Sequence, residues 1–345
     1  MANVLVVSGK GGGGLELAKR FTDEGNDVTF FTEMAIVPSS VASNLRVTSS
    51  RRHFTGDFDL VTATGSGYGR VLDSIRQRGA IVVAGGTQAE KIELYGSKMI
   101  KLLFPDQQFA SDKMTIVHQV LLFMLSDKNR FVNDYFVTHP TYRLCDGDRG
   151  PAFIGPTGLV TTPRRLFTGA SNNEPPPFGP IIEKFVKPLV DLKYTGPICL
   201  SIFETKDHSS FFINSLTCHL TFPYYIGMFE LVRPKKLYQT LFGISARNTH
   251  DLRLRSGVCV GIALTALTSE IESPIFDEAG LKHVHPTGDC YLPYIVTGLG
   301  EDVFEARRRA RRPIDLGNIP QEIMFRSDIN LPKFEESSSE AKPIE

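Results

Sequence analysis

The opening segment constrains the fold more than any other. Residues 3–7 are apolar, Gly9, Gly11, Gly12, Gly13 and Gly14 follow, and residues 15–21 carry the apolar spacing of a helix. Strand, glycine turn and helix in that order bring backbone N–H groups to a phosphate at a helix N-terminus. A glycine run at a first βα turn also serves close packing, and the residues leave both roles open for Gly11 and Gly12. The alternation then continues. Residues 28–31, 59–63 and 81–84 read as strands, and 68–78 as a helix with Val71, Leu72 and Ile75 on one face. Residues 90–104 read as a long helix interrupted at Gly96-Ser97. Such alternation predicts a small parallel sheet with helices on both faces and ligands at the carboxyl ends of its strands. Glu33 stands where a dinucleotide fold would hold a ribose.

From Met114 the character changes. Residues 114–125 are almost continuously apolar, Asp127-Lys128-Asn129 is a polar turn, and residues 131–137 return, which predicts a β-hairpin in a second sheet. Residues 144–163 are polar and rich in glycine and proline. Asp146 and Asp148 flank Gly147, so a tight turn can aim both carboxylates into one concavity, and Gly150-Pro151 and Gly155-Pro156 stiffen the path. This segment is either a ligand-holding loop or a surface connection. Residues 171–180 form a proline-rich loop, 181–192 an amphipathic helix, 198–204 and 211–221 strands around a turn at Asp207-His208. Residues 228–241 follow as a helix broken at Pro234, then 258–267 and 291–297 as strands. Residues 301–312 make a basic helix whose five arginines (Arg307, Arg308, Arg309, Arg311, Arg312) grip an anionic partner or form a solvated face. The second reading suits the helix dipole and an i,i+4 pair of Glu305 with Arg309. Residues 334–345 are a polar tail expected to be disordered.

Composition limits the function. The chain has 345 residues, with Lys+Arg and Asp+Glu both 38, so its formal net charge is zero and a strongly electrostatic nucleic-acid binder is not expected. No apolar run reaches bilayer length, and the start reads as strand and turn, not as a signal peptide, so neither membrane nor export is expected. The five cysteines (145, 199, 218, 259, 290) lack metal-site spacing and read as reduced thiols of a cytoplasmic protein.

Six landmarks in order give the chain a resemblance. Residues 4–18 look like the opening glycine loop of glycinamide ribonucleotide synthetase, the ATP-grasp ligase that joins glycine to phosphoribosylamine. Leu94-Tyr95-Gly96-Ser97-Lys98 resembles its Leu-Glu-Gly-Ser-Lys. Asp146-Gly147-Asp148-Arg149-Gly150-Pro151 resembles its Asp-Gly-Asp-x-Gly-Pro, which lines the substrate pocket. Tyr194-Thr195-Gly196 is similar to the Tyr-Thr-Gly before its acidic strand, and Val296-Thr297-Gly298-Leu299-Gly300 to its carboxyl-terminal strand. Phe325-Arg326-Ser327-Asp328-Ile329 resembles its closing Tyr-Arg-x-Asp-Ile.

The departures bear on chemistry. In the family a lysine-bearing glycine-rich segment and a mobile lid precede the Asp-Gly-Asp loop. Here one hairpin and its flanks join Lys98 to Asp146, too little chain for an independent ATP-covering subdomain. The family's magnesium ligands, Glu and Asn, correspond to Ser215 and Thr217, and neutral hydroxyls replace a carboxylate poorly around Mg²⁺. The family's Arg-Glu-His after the glycines is Gly13-Gly14-Leu15. ATP-driven ligation needs both metal and lid. The resemblance therefore implies an α/β fold with an N-terminal Rossmann-like domain (1–110), a reduced ATP-grasp-like core (111–242) and a C-terminal β-rich domain (243–333). It implies a degenerate member without catalytic residues, metal or cofactor. Such a member would bind a small phosphorylated ligand or a protein partner through Gly11, Gly12, a Gly96-Ser97-Lys98 turn, Asp146, Asp148 and Gly150. Self-assembly is a further expectation, through apolar surface that the missing lid would expose. One alternative is an active Mg-ATP-dependent ligase with substitute carboxylates, Glu204 first and Asp207 next. The other is a scaffold without a small ligand.

Overall fold

The computed structural model describes residues 1–9, 13–33, 37, 41, 44–107, 114–125, 130–132, 134–147, 149–153, 155–165, 178–205, 210–232, 237–245, 252, 254–267, 276, 283–289 and 291–330. Gly11, Gly12, Asp148, Asp207, Pro234, the Asp127-Lys128-Asn129 turn, most of the 171–180 loop and the 334–345 tail lie outside them.

The first 103 residues build a parallel sheet from β1 (Asn3–Val7), β2 (Asp27–Phe31), β3 (Arg46–Thr48), β4 (Leu60–Ala63) and β5 (Ile81–Val82), in the order β3-β2-β1-β4-β5. Its helices are α1 (Leu15–Asp23), α2 (Gly69–Gln77) and α3 (Thr87–Leu103). β1 shows why the strands read as unbroken apolar runs. Val4 and Val6 enter one core with Leu15, Ala18 and Phe21 of α1, while Leu5 and Val7 enter another with Leu72 and Ile75 of α2. A strand buried on both faces has no polar face to show. α3 runs without the expected interruption, so Gly96-Ser97-Lys98 is helix and not a turn.

The rest of the chain forms a ten-stranded antiparallel sheet among the described residues. Its strands are β6 (Met114–Leu125), β7 (Arg130–Phe131), β8 (Asp134–Thr141), β11 (Gly158–Arg165), β12 (Gly196–Thr205), β13 (Phe211–Thr217), β14 (Val258–Ala266), β15 (Val284–Pro286), β16 (Tyr294–Gly300) and β17 (Ile323–Met324). The main path is β13-β12-β6-β8-β11-β14-β16-β15. β9 (Arg143–Cys145) and β10 (Arg149–Ala152) make a separate small hairpin inside the segment expected to be irregular. β14 and β16 join beside β11, so one sheet runs across the expected boundary at 242/243. α3 and α4 (Gly179–Asp191) cover one face through Ile92, Ile182, Phe185 and Leu189. α5 (Tyr224–Leu231) and α6 (Leu237–Ser245) lie on the other, in a core shared with β1 and α1.

α7 (Val303–Leu316) packs on β16 at backbone distance: a Cβ on Gly298 would stand 2.2 Å from the carbonyl oxygen of Ala306. That contact explains the glycine of the 296–300 landmark as a packing residue. Asp302 caps the helix by accepting from the Glu305 N–H at 2.8 Å. The arginines divide. Arg309 pairs with Glu305 at 2.5 Å and donates to the Leu299 carbonyl at 2.9 Å, Arg307 donates to the Ile329 carbonyl at 3.3 Å, and Arg308 and Arg312 are exposed.

A buried charge network joins the two sheets. Arg20 on α1 donates to Glu16 at 2.8 Å and to Glu230 of α5 at 2.7 Å. His285 of β15 places Nδ1 3.3 Å from Glu16 and Nε2 2.8 Å from the Thr297 hydroxyl; His283 lies 3.3 Å from Glu230. Burial pushes the Glu230 carboxyl up, but the His283 hydrogen bond and the charges of Arg20 and the histidines outweigh it and hold it well below the carboxylate range. For Glu16 burial also acts upward and is outweighed, chiefly by Arg20, so this carboxyl too is lowered. A carboxyl depressed in the folded state contributes stability above its unfolded value, which is lost as pH falls through the folded value. Wild type should therefore lose stability below about pH 4, the unfolded carboxylate value. Arg20→Met should be less stable at pH 7 by about 3–5 kcal/mol, since it leaves two buried carboxylates with only histidines as partners. It should gain stability between pH 7 and 5, because those carboxyls would then titrate above their unfolded values; urea melts across pH measure both slopes.

Candidate functional site

One face of the β8-β6-β12-β13 ribbon carries an unusual set of small polar side chains. In the ladder Ser201 stands opposite Ser215 and Cys199 opposite Thr217, so the positions expected to have lost a metal face the same side. Gln119 of β6 donates to the Ser201 hydroxyl at 3.1 Å and accepts from Cys199 Sγ at 3.6 Å. Thr217 and Thr221 share a hydrogen bond of 2.9 Å, as do Thr138 and Thr161. At the end of β8, Tyr142 meets Tyr224 hydroxyl to hydroxyl at 3.0 Å. Burial pushes the Cys199 thiol up to about 12, which leaves it a poor nucleophile, and likewise raises Tyr224. These bonds join groups without a formal charge. Among the described residues no three His, Cys, Asp or Glu side chains are grouped to hold a metal. Mg²⁺ favours carboxylate oxygens, and the hydroxyls and amide of this face do not fit it.

The glycine turn is brought to this face by residues 217–225. Gly13 lies under Phe222: a Cβ there would come 2.8 Å from the Phe222 Cβ, so position 13 has no room for a side chain. Tyr225 donates its hydroxyl hydrogen to the Gly13 carbonyl. Gly14 occupies the N-cap of α1 and offers no side-chain cap to the free N–H groups.

The turn at 146–147 is clasped by the closing landmark, 181 residues away in sequence. Ser327 donates its N–H to Asp146 Oδ1 at 2.8 Å and its hydroxyl to Oδ2. The Gly147 N–H donates to Asp328 at 2.5 Å, and the buried Arg326 guanidinium holds the same carboxylate at 2.8 Å. Partial burial pushes the Asp146 carboxyl up, but the hydrogen bonds from Ser327 outweigh it and leave it lowered. Both Asp146 oxygens thus face the protein. Gly150 is a strand residue of β10.

Other expected residues are elsewhere. Gly96 packs α3 against Leu216 of β13, and Ser97 and Lys98 are exposed on the helix, with the Lys98 ammonium 5.5 Å from the Tyr95 ring. Glu204 is no substitute metal ligand. It points to the opposite sheet face, where Oε2 lies 2.5 Å from His118 Nε2, and His118 packs edge-on to His139 with ring centroids 4.7 Å apart. Strand alternation sends His118 and Gln119 to opposite faces, and Glu204 follows His118. Burial, with the charges of His118 and Arg164, lowers His139 to about 3, so it is neutral. Glu33 accepts from the Tyr68 hydroxyl at 2.9 Å and pairs with Arg51 at 3.3 Å. Gln119, Tyr142 and Tyr224 were missed because isolated polar residues in apolar or loop-like stretches carry no motif; only period-two alternation around Gln119 hints at its face.

No family model and no curated protein matches the chain. Its fold is that of ATP-grasp enzymes. Phosphoribosylamine–glycine ligase of Thermotoga maritima superposes with a TM-score of 0.58 at 15% identity, over 94% of this chain and 100% of that one. N5-carboxyaminoimidazole ribonucleotide synthetase of the same organism gives 0.57 at 11% identity, over 92% and 99%. Pyruvate carboxylase of Rhizobium etli gives 0.60 at 10% identity, over 94% of this chain and 34% of that protein.

The clasp has a measurable signature. Asp146→Ala and Ser327→Ala should each cost about 1–3 kcal/mol, since each leaves a polar partner unmet. Together they should cost less than the sum, with a coupling of about 0.5–3 kcal/mol in urea unfolding; strict additivity would show that the contact carries no energy.

Proposed function

We propose that this protein is a non-catalytic relative of the carbon–nitrogen ligases whose fold it shares, and that it binds a small phosphorylated ligand, of phosphoribosyl type, between the glycine turn and the hydroxyl face. The observation that carries this reading is the uncharged polar set of Gln119, Cys199, Ser201, Ser215 and Thr217 on one sheet face. Phosphoryl transfer develops negative charge that a metal must offset, and the groups described on this surface are hydroxyls, an amide and a thiol. The segment between Lys98 and Asp146 supports the same reading. It is taken up by the end of α3 and by strands β6 to β9, and the described part adds no separate layer over the face. The uncapped N-terminus of α1 beside Gly13 and Gly14 offers backbone donors for a phosphate.

One observation favours a second reading, a scaffold without a small ligand: the Asp146 carboxylate is already taken by Ser327 on both oxygens.

Thermal unfolding with Mg-ATP, glycinamide ribonucleotide and ribose 5-phosphate, each alone, separates the readings. A ligand at a hundredfold excess over Kd adds about 2.7 kcal/mol. The proposal expects stabilisation by the phosphoribosyl compounds and none by Mg-ATP. Stabilisation by Mg-ATP, followed by ADP formation dependent on glycine and phosphoribosylamine, would restore the ligase; no response to any of the three would favour the scaffold.

A further inference from the structure

A cavity of about 340 Å³ opens on the outer edge of the parallel sheet, along the unpaired side of β5. It is lined by Val82 of β5, Gln88 in the first turn of α3, Arg76 of α2, Lys193 and Thr195 from the turn after α4, and Ser245 of α6. None of these belongs to the glycine turn or the hydroxyl face. The Ile81 and Val83 N–H groups bond inward to Asp59 and Val61, which turns the Val82 N–H and carbonyl toward the free edge.

Lys193 is the unexpected residue. α4 ends in a tight reversal in which the Lys193 N–H donates to the Val190 carbonyl and the Tyr194 N–H to that of Leu189. Lys193 takes φ +49° there, the one non-glycine residue with positive φ among the described residues. Such a helix-ending position favours glycine, because a Cβ is strained in it. Strain retained at the wall of a cavity points from geometry toward function. No ion pair of Lys193 is found among the described residues. Gln88 donates to the Leu192 carbonyl and so ties the Lys193 turn to the start of α3. Arg76 also lines the cavity. Its guanidinium is held by Asp73 at 2.5 Å, and the same Asp73 accepts from the Thr87 N–H at 3.0 Å. Arg76 is therefore oriented but neutralised, and Lys193 supplies the uncompensated charge.

We propose that this edge cavity binds the oxyanion of a small metabolite, as free phosphate or a phosphate monoester. Lys193 supplies the charge, Arg76 the oriented donors, and Thr195 and Ser245 the hydrogen bonds to the polar body. The size suits a small ligand, at the low end of ordinary pockets of roughly 300–1,000 Å³.

The test measures melting of the full chain in inorganic phosphate, glycerol 3-phosphate and sodium chloride at equal ionic strength. Wild type should be stabilised by phosphate beyond chloride. A larger response to glycerol 3-phosphate identifies an ester as the ligand, and an equal or smaller one identifies free phosphate. Lys193→Gly should melt higher than wild type in chloride, because the strain is relieved, yet bind phosphate about tenfold more weakly, the loss of one charged hydrogen bond. Arg76→Gln should weaken phosphate in the same way, and serves as the second variant. A wild type that phosphate stabilises no more than chloride overturns the proposal. So does a phosphate response of full strength in Lys193→Gly, which would belong to another site and leave the glycine-turn reading standing.

Discussion

A guanidinium sits at the centre of the buried charge network that joins the two sheets. Arg20 spans Glu16 on its own helix and Glu230 on the helix beneath the antiparallel sheet, and both carboxylates are almost wholly buried. Removing two acids and a base from water is costly, and the arrangement stands only because each charge meets an opposite one with good geometry. A planar fork with several fixed donors can serve two carboxylates at once, which an ammonium on a flexible stem does less well. The orientation of α1 follows from this contact. The end of α1 that carries Gly13 and Gly14 is then delivered to Phe222 and Tyr225, and through them to the polar face of the sheet. The candidate site is thus positioned by charges that take no part in it.

That face is polar without carrying a formal charge. Gln119 bonds Ser201 and Cys199, Thr217 bonds Thr221, and Ser215 stands across the ladder from Ser201. A neutral set of this kind needs no counterion and costs little to bury once its donors and acceptors are matched. Glu204, His118 and His139 are on the reverse of the same strands, and His219, between Thr217 and Thr221, pairs with Glu93 of α3 at 2.7 Å.

Much of the fold was legible because burial on both faces leaves unmistakable apolar runs, as in β1 and β6. β3 was not, since Arg46-Val47-Thr48 is exposed and becomes a strand only by pairing with β2. The β9–β10 hairpin was hidden by the glycines and proline that form it, which locally favour a loop. Gly96 was read as a helix break on intrinsic propensity, and contact with Leu216 overrides that preference. The landmarks at 146 and 326 were each visible, but their hydrogen bonds to one another are a tertiary fact that spacing along one chain does not contain. The face on which Glu204 lies was within reach of strand alternation. Its partner His118 was not, because register between β6 and β12 is fixed by the whole sheet.

The order of strands has a consequence for the chain as it is made. β11 ends at residue 165, but the neighbour on its far side, β14, begins only at residue 258. A ribosome adding roughly 5–20 residues per second leaves that flank open for several seconds at least. During that time the row of N–H and carbonyl groups on β11 is an unpaired edge able to recruit another nascent chain. Pro163 and Arg164 lie just beyond the four residues, 158–161, that β14 pairs; a residue without an N–H and a charge there discourage an incoming strand from extending along β11.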